Sequence, residues 1–365
     1  MSDSVFIDRP DEAESLARSL RDAPRLAIDT EFVREDTYSG RLCLLQVSDG
    51  ERIACVDVLA LGGVGPLGAL LTEPGITKVF HAARQDQEIL YELLGTVPSP
   101  VWDTQIAAAL VGHADQVGYA ALVSAELDAP LAKDHARTDW TRRPLSPEQL
   151  EYAADDVRHL LPLADRLGAR LEELGRTAWA EEESAALTDV ELYAFDAGGA
   201  WRRVKSAGQL EGPALARLVA LARWREEEAR RRNRPRRWIL KDDALMDLAR
   251  TGPETAAAVA TVSSVPPAVA RRHGATLAEV VARSAGDTPP ERPGGGRLEP
   301  AQDRAARKIM ARLREIAESQ QVSAPLVATR RDVERLVLGD RDLPLLSGWR
   351  REVAGQALLD LLEAG

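Results

Sequence analysis

Apolar side chains in the first hundred residues come in short runs parted by turn formers. Residues 25–33 (RLAIDTEFV), 41–48 (RLCLLQVS) and 52–58 (RIACVDV) are rich in β-branched and apolar residues, with SG and DG dipeptides between them. That pattern predicts three successive strands of an antiparallel meander. Residues 66–72 predict a short helix and 77–82 (TKVFHA) another strand. From 84 to 94 the positions of Ile89, Leu90, Leu93 and Leu94 follow helical spacing. Beyond about residue 103 the pattern is helical almost to the end. Strands first and helices after them predict an α/β domain followed by all-α material.

Two breaks interrupt this pattern. Glycine becomes dense at 196–212, and 288–300 (TPPERPGGGRLEP) is so rich in Pro and Gly that it reads as a linker. The breaks divide the chain into domains at 1–198, 210–287 and 300–365. The last two are small but large enough for a helical core.

Charge sharpens the division. The net charge of −11 is an average over unlike halves. Residues 1–198 carry 17 Lys and Arg against 36 Asp and Glu, and residues 199–365 carry 30 against 22. One half can therefore offer positive charge to a polyanion. The acidic half cannot attract a polyanion unaided, but could if its carboxylates hold divalent cations, which reverse the local field. Only five of the 47 basic residues are Lys, which reads as codon usage rather than chemistry. No apolar run approaches the ~20 residues of a membrane span, and MSDSVFIDRPDEAE has no basic and then apolar leader, so no secretion signal is expected. Cys43 and Cys55 sit in apolar runs and form no zinc-ligand set, so they read as buried reduced thiols. These features favour the cytoplasm.

Four acidic positions carry candidate chemistry. Asp29 and Glu31 stand two apart in IDTEF, and the period of a strand points both to one face. Hard divalent cations such as Mg²⁺ and Mn²⁺, which prefer oxygen ligands, would offset their repulsion; a solvent-exposed strand end would also accommodate them. Asp86, in FHAARQDQEIL, opens a predicted helix, where an Asp also serves as a cap or dipole partner. In LEYAADDVRHLLP, Tyr152 and Asp156 share a helix face, as does any packed Tyr with a hydrogen bond one turn away. Asp155 points about 100° aside.

Read in order, DxE, HAxxxD and YxxxD resemble the motifs of the DEDDy 3′→5′ exonucleases. WDTQIAAAL, 102–110, resembles the DTQ helix of the ribonuclease D branch. The resemblance covers nearly all of 20–170. It implies an α/β, RNase H-like fold: a mixed sheet, mostly three strands and then two, with helices on both faces. It also implies that Asp29, Glu31, Asp86 and Asp156 are ligands of two divalent metal ions, Mg²⁺ or Mn²⁺, and that Tyr152 orients the attacking water. The family spacing of three residues between Tyr and Asp selects Asp156 over Asp155. Two metals can both activate water and stabilise a leaving 3′-oxygen.

The second half adds a further likeness. Leu218, Leu221, Ala222 and Trp224 form an apolar face, followed by Arg230, Arg231, Arg232, Arg234, Arg236 and Arg237, with Pro235 stopping the helix. This segment resembles an HRDC domain, the helical module shared by RecQ-type helicases and ribonuclease D. Residues 300–365 resemble a second, more divergent copy. The arginines are candidates for nucleic-acid contact through phosphate hydrogen bonds. Glu226, Glu227 and Glu228 just before them could instead pair with them on a solvated helix. Trp238 reads first as a core anchor, with base stacking as the alternative.

Other motifs carry little. Gly63, Gly65 and Gly68 satisfy GxGxxG, but Pro66 lies inside the motif and a meander precedes it, against a dinucleotide site. None of the five Lys follows a Gly, which excludes a P-loop helicase, and no nucleotide cofactor is expected. The five histidines form no zinc pattern, and His81 and His159 read as packing residues. The expectation is a monomeric 3′→5′ exoribonuclease that releases 5′-mononucleotides and trims tRNA precursors with 3′ extensions. Its rivals are a DNA-directed exonuclease of the same superfamily and a non-catalytic RNA-binding scaffold.

Overall fold

The computed structural model describes residues 4–131, 138–289 and 298–364. Most of the expected linker, 290–297, lies outside them. Six strands form one mixed sheet in the order β1-β4-β3-β2-β5-β6. They are β1 Ser4–Ile7, β2 Arg25–Val33, β3 Arg41–Ser48, β4 Ile53–Asp57, β5 Thr77–Phe80 and β6 Val101–Asp103. The predicted meander is β2, β3 and β4, antiparallel throughout. β1 lies parallel to β4, and β5 and β6 extend in parallel from β2. β1 and β6, of four and three residues, are too short to show a period and escaped the sequence reading. β5 ends at Phe80, earlier than expected. The Asp103 carboxylate accepts from the N–H groups of Ala82 and Ala83, at 3.0 and 2.8 Å, and turns the chain into the helix Arg84–Leu94.

Alternation along β2 builds two layers. Leu26 and Ile28 face a core shared with Leu45, Val47, Ile89, Leu90 and the helix Pro10–Leu20. Ala27 faces the other way, into a core with Leu44, Cys55, Ala153, Ala154, Val157 and Leu160. Both cysteines are buried and unbonded, and burial pushes the Cys55 thiol up to about 12.

By contact, the chain divides into two compact units. One holds the sheet, its helices and the chain after the linker; the other holds residues 34–40 and the helical segment from 194. In the first unit, Ala107, Leu110, Leu163 and Leu167 share a core with Ile309, Leu313, Leu336 and Leu358. The helices Pro300–Ser319, Arg330–Val337 and Gln356–Glu363 are therefore seated in one core with Thr104–Leu110 and Leu160–Glu173.

The second unit packs the helices Gly212–Arg231, Asp242–Thr251 and Pro267–Arg283 around Leu218, Leu221, Leu245, Leu248 and Leu277. Arg225 is buried there, donating to Asp242 at 2.7 Å and to the Leu240 carbonyl at 3.0 Å. The connection 34–40 belongs to this unit: the Tyr38 hydroxyl donates to Glu226 at 2.7 Å. Trp238 is not the core anchor it was expected to be. It is 62% exposed, because Ile239 and Leu240 take the buried positions after the turn at Pro235. Among the described residues, no helix is long and apolar enough to cross a membrane.

Candidate active site

β2 lies between β3 and β5 in the sheet. Asp29 and Glu31 alternate with Ala27, so they share the face covered by the helix Pro147–Arg158. That helix is started by a capping box between Ser146 and Gln149, with Pro147 in its first turn. Ala153 and Ala154, fully buried, let its backbone approach the sheet closely. The approach brings Asp156 to β2: one ligand oxygen from each of Asp29, Glu31 and Asp156 lies within 4.8 Å of the others. Asp155 is turned away and paired with Arg158, which also binds Glu151 at 2.8 Å. One turn before Asp156, the Tyr152 hydroxyl hydrogen-bonds its carboxylate. The buried Trp140 ring backs the Tyr152 ring at 6.2 Å.

Asp86 stands slightly apart. It is buried in the first turn of Arg84–Leu94, and the Thr30 hydroxyl donates to its Oδ1 at 2.5 Å. It lies outside the close trio but near enough to repel it.

The electrostatics of the site are unbalanced. Burial, and then repulsion from Asp156 and Asp86, push Glu31 up to about 9. Burial raises Asp29 well above the usual carboxylate range, with Asp156, Asp86 and Glu31 adding to it. Burial raises Asp86 and Asp156 to about 7, each against a hydrogen bond that stabilises the charged form, from Thr30 and Tyr152 respectively. Burial beside Asp156 lifts the Tyr152 hydroxyl above the ordinary phenol range, so it stays protonated. None of the four carboxylates forms an ion pair with a basic side chain among the described residues.

A divalent cation suits this donor set. Four acids are gathered in a buried place with no basic side chain paired to them among the described residues, and all offer hard oxygen donors. Gln46, opposite Asp29 in register, is fully buried, and its amide oxygen and nitrogen have no protein partner. Such orphaned groups fit a site that also holds water around an ion.

The sequence reading missed Thr30 and Tyr119. Tyr119 donates to the Asp155 carbonyl at 3.2 Å and is raised by burial and by Asp156 and Asp29. No pattern in the chain marks either one, since Thr on a strand and Tyr at a helix start are ordinary. His81 is satisfied between Thr104 at 2.8 Å and the Val117 carbonyl at 2.9 Å, a packing role as expected. The Gly63–Gly65–Gly68 segment joins two short helices, Val58–Leu61 and Leu67–Thr72, and makes no strand-to-helix turn.

Of the six arginines singled out for nucleic acid, most have partners within their own unit. Arg231 and Arg232 pair with Glu228, Arg234 with Asp36 at 3.2 Å and Arg236 with Glu226 at 3.5 Å. Arg230 lies over the Phe195 ring at 4.3 Å. Arg237 is exposed and forms no hydrogen bond or ion pair among the described residues. Only the Arg234–Asp36 pair is exposed on both sides, and such a pair contributes little, about 0–1 kcal/mol; Arg231, Arg232 and Arg236 are held by the buried carboxylates of Glu228 and Glu226.

Known proteins resemble this chain along its whole length. Residues 4–172 match the family model described as a 3′-5′ exonuclease, and 214–281 match that of the HRDC domain. Ribonuclease D of Granulibacter bethesdensis is 39% identical over 367 aligned positions, covering 98% of this chain and 92% of that protein. Ribonuclease D of Pseudomonas paraeruginosa is 39% identical over 355 positions, covering 95% and 94%. The crystal structure of Escherichia coli RNase D, an exoribonuclease involved in structured RNA processing, superposes with a TM-score of 0.89 at 32% identity, covering 99% of each chain.

Proposed function

This chain belongs to the ribonuclease D family, and from that membership we propose that it is a 3′→5′ exoribonuclease that trims precursors of tRNA from their 3′ ends. The observation that carries the reading is the trio of Asp29, Glu31 and Asp156 oxygens within 4.8 Å of one another, with Asp86 beside them and no basic partner among the described residues. Asp29, Glu31, Asp86 and Asp156 would hold two divalent ions, Mg²⁺ or Mn²⁺. Bound there, the ions supply an acidified water and charge neutralisation at the leaving oxygen.

The protein's own groups do the rest. The protonated Tyr152 hydroxyl donates to Asp156, which leaves its lone pairs to accept from the attacking water and set its angle. Water oxygen bonds to the terminal phosphorus, and the bond from phosphorus to the 3′-oxygen breaks. One proton of the water departs to solvent, and the departing 3′-oxygen takes one from solvent to leave as a hydroxyl. The products are a 5′-mononucleotide and an RNA one residue shorter. The Trp140 ring behind Tyr152 limits the angles the phenol can take, which is how a positioning group raises turnover.

The net positive 199–365 would hold the RNA body, with Arg230, Arg231, Arg232, Arg234, Arg236 and Arg237 on its surface, while the acidic site takes the free end. The domain boundaries in this reading are 1–198, 210–287 and 300–365, the last as a divergent HRDC-like copy. The protein would act as a monomer in the cytoplasm, a setting in which two buried reduced thiols are stable. The test is a gel time course on a 3′-extended tRNA transcript with Mg²⁺, with Mn²⁺ and with EDTA. The expected result is a metal-dependent ladder that shortens from the 3′ end and stops near the mature terminus. RNA binding without cleavage under either metal would overturn it.

A further inference from the structure

Outside the carboxylate site, one cleft of the helical unit joins features that nothing so far explains. It is a cavity of about 530 Å³ lined by Trp238 and Ile239 and by Val269, Arg271, Arg272 and His273 of the helix Pro267–Arg283. Trp238 is 62% exposed. A ring of that size left in water forgoes the burial that usually stabilises it and presents a flat face that a partner can cover. Arg234 lies over the indole at 5.8 Å, which places a guanidinium on the ring without covering it.

The charges around the cavity differ in kind. Arg232 is neutralised by Glu228, which also takes Arg231. His273 is held below its usual range by burial and nearby guanidinium groups, so it is neutral, and it packs edge-on against Trp224 at 5.2 Å. Arg271 and Arg272 are exposed and form no hydrogen bond or ion pair among the described residues. The cleft therefore offers one flat aromatic platform and two uncommitted guanidinium groups at its rim. An acidic peptide would use the cations but not the indole face. A nucleotide uses both, because every base has a face to stack and every linkage carries a phosphate.

We propose that this cleft binds one unpaired nucleotide of the RNA body, its base stacked on Trp238 and its flanking phosphates held by Arg271 and Arg272. The proposal rests on the exoribonuclease reading for its choice of RNA. It adds a site to the 230–237 arginines, since Arg271 and Arg272 come from a different helix, Pro267–Arg283. Sequence offers base stacking only as the alternative for Trp238; that Arg271 and Arg272 line the same cleft comes from the fold.

The test measures RNA affinity of the full-length protein by fluorescence anisotropy, with EDTA to prevent cleavage, on a tRNA transcript carrying a single-stranded 3′ extension. Trp238→Ala is expected to weaken binding roughly tenfold, and Trp238→Phe, which keeps a stacking ring, to restore most of it. Replacing Arg271 and Arg272 together by Ala is expected to lower the slope of log Kd against log salt by about one to two. Wild-type affinity in Trp238→Ala, or equal weakening by Ala and Phe, overturns the cleft. The exoribonuclease reading is judged separately, by metal-dependent shortening of a short oligoribonucleotide by the wild-type protein, so either idea can fail alone.

Discussion

Thr30 sits between Asp29 and Glu31 in the chain, yet its hydroxyl donates to Asp86, 56 residues away, at 2.5 Å. The alternation that sends the two acids to one face of the sheet sends Thr30 to the other, where the helix Arg84–Leu94 presents Asp86. One strand thereby holds two acids directly and secures another through a hydrogen bond. Thr30→Val keeps the shape and removes the donor. Losing a hydrogen bond to a buried acid costs about 1–3 kcal/mol, so divalent-ion affinity at neutral pH is expected to fall by about tenfold or more. Calorimetric titration with Mn²⁺ measures it, and an unchanged affinity would separate Asp86 from the metal site.

Asp29→Asn removes a carboxyl group that has no basic partner among the described residues. Cleavage is expected to vanish while RNA affinity stays close to wild type. In EDTA the variant should melt at or above the wild-type temperature, because burial and three neighbouring carboxylates all oppose the ionised form. Full activity of the variant with Mg²⁺ would sink the assignment.

Tyr152→Phe leaves the ring against Trp140 and deletes the hydroxyl that meets Asp156. A group that orients water in the transition state affects kcat more than KM. The expected loss in kcat is about 10- to 100-fold with KM within about twofold. Steady-state kinetics on a short oligoribonucleotide decide it, and an unaltered kcat would remove the phenol from the mechanism.

The raised carboxyl groups make a prediction about pH. In the unfolded chain they titrate near ~4, whereas in the fold Asp86 and Asp156 stand at about 7 and Glu31 at about 9. Across that window the folded state holds protons the unfolded state has released, so stability falls as pH rises. Divalent ions bind the ionised carboxylates and oppose the trend. Burial pulls Lys78 down to about 8 and adds a slope of the opposite sign above that pH, so the informative range is roughly pH 5–8. Melting temperatures in EDTA should decline across it, less steeply in Glu31→Gln, and more gently with Mg²⁺. Identical slopes in wild type and Glu31→Gln would refute the linkage.

Trp349 lies flat on Trp179, with centroids 4.8 Å apart and planes 16° from parallel. Arg350 covers the outer face of one ring at 4.7 Å and Arg176 that of the other at 5.2 Å, while Glu183 accepts from the Trp349 indole at 2.8 Å. Trp349→Ala is expected to destabilise the protein by ~3–5 kcal/mol. Since these helices share a core with Thr104–Leu110, hydrogen exchange there should quicken as well. Loss of protection confined to the residues after 300 would show the two parts to be independent.

Much of this protein is written in local pattern. Strand alternation and turn dipeptides mark β2, β3 and β4 almost to the residue, and i,i+4 spacing puts Tyr152 and Asp156 on one helix face. These are properties of neighbours in the chain, set by the pleat of a strand and the pitch of a helix. The ordered motifs added the family, and with it the expectation that distant acids meet. Tertiary structure decided the rest. It set Asp86 aside under Thr30, left Gln46 orphaned opposite Asp29, exposed Trp238 by burying Ile239 and Leu240, and seated the final helices in one core with Thr104–Leu110 and Leu160–Glu173. Each outcome depends on which surfaces are covered by segments far away in sequence. Burial and pairing belong to the packed molecule, and no run of residues carries them alone.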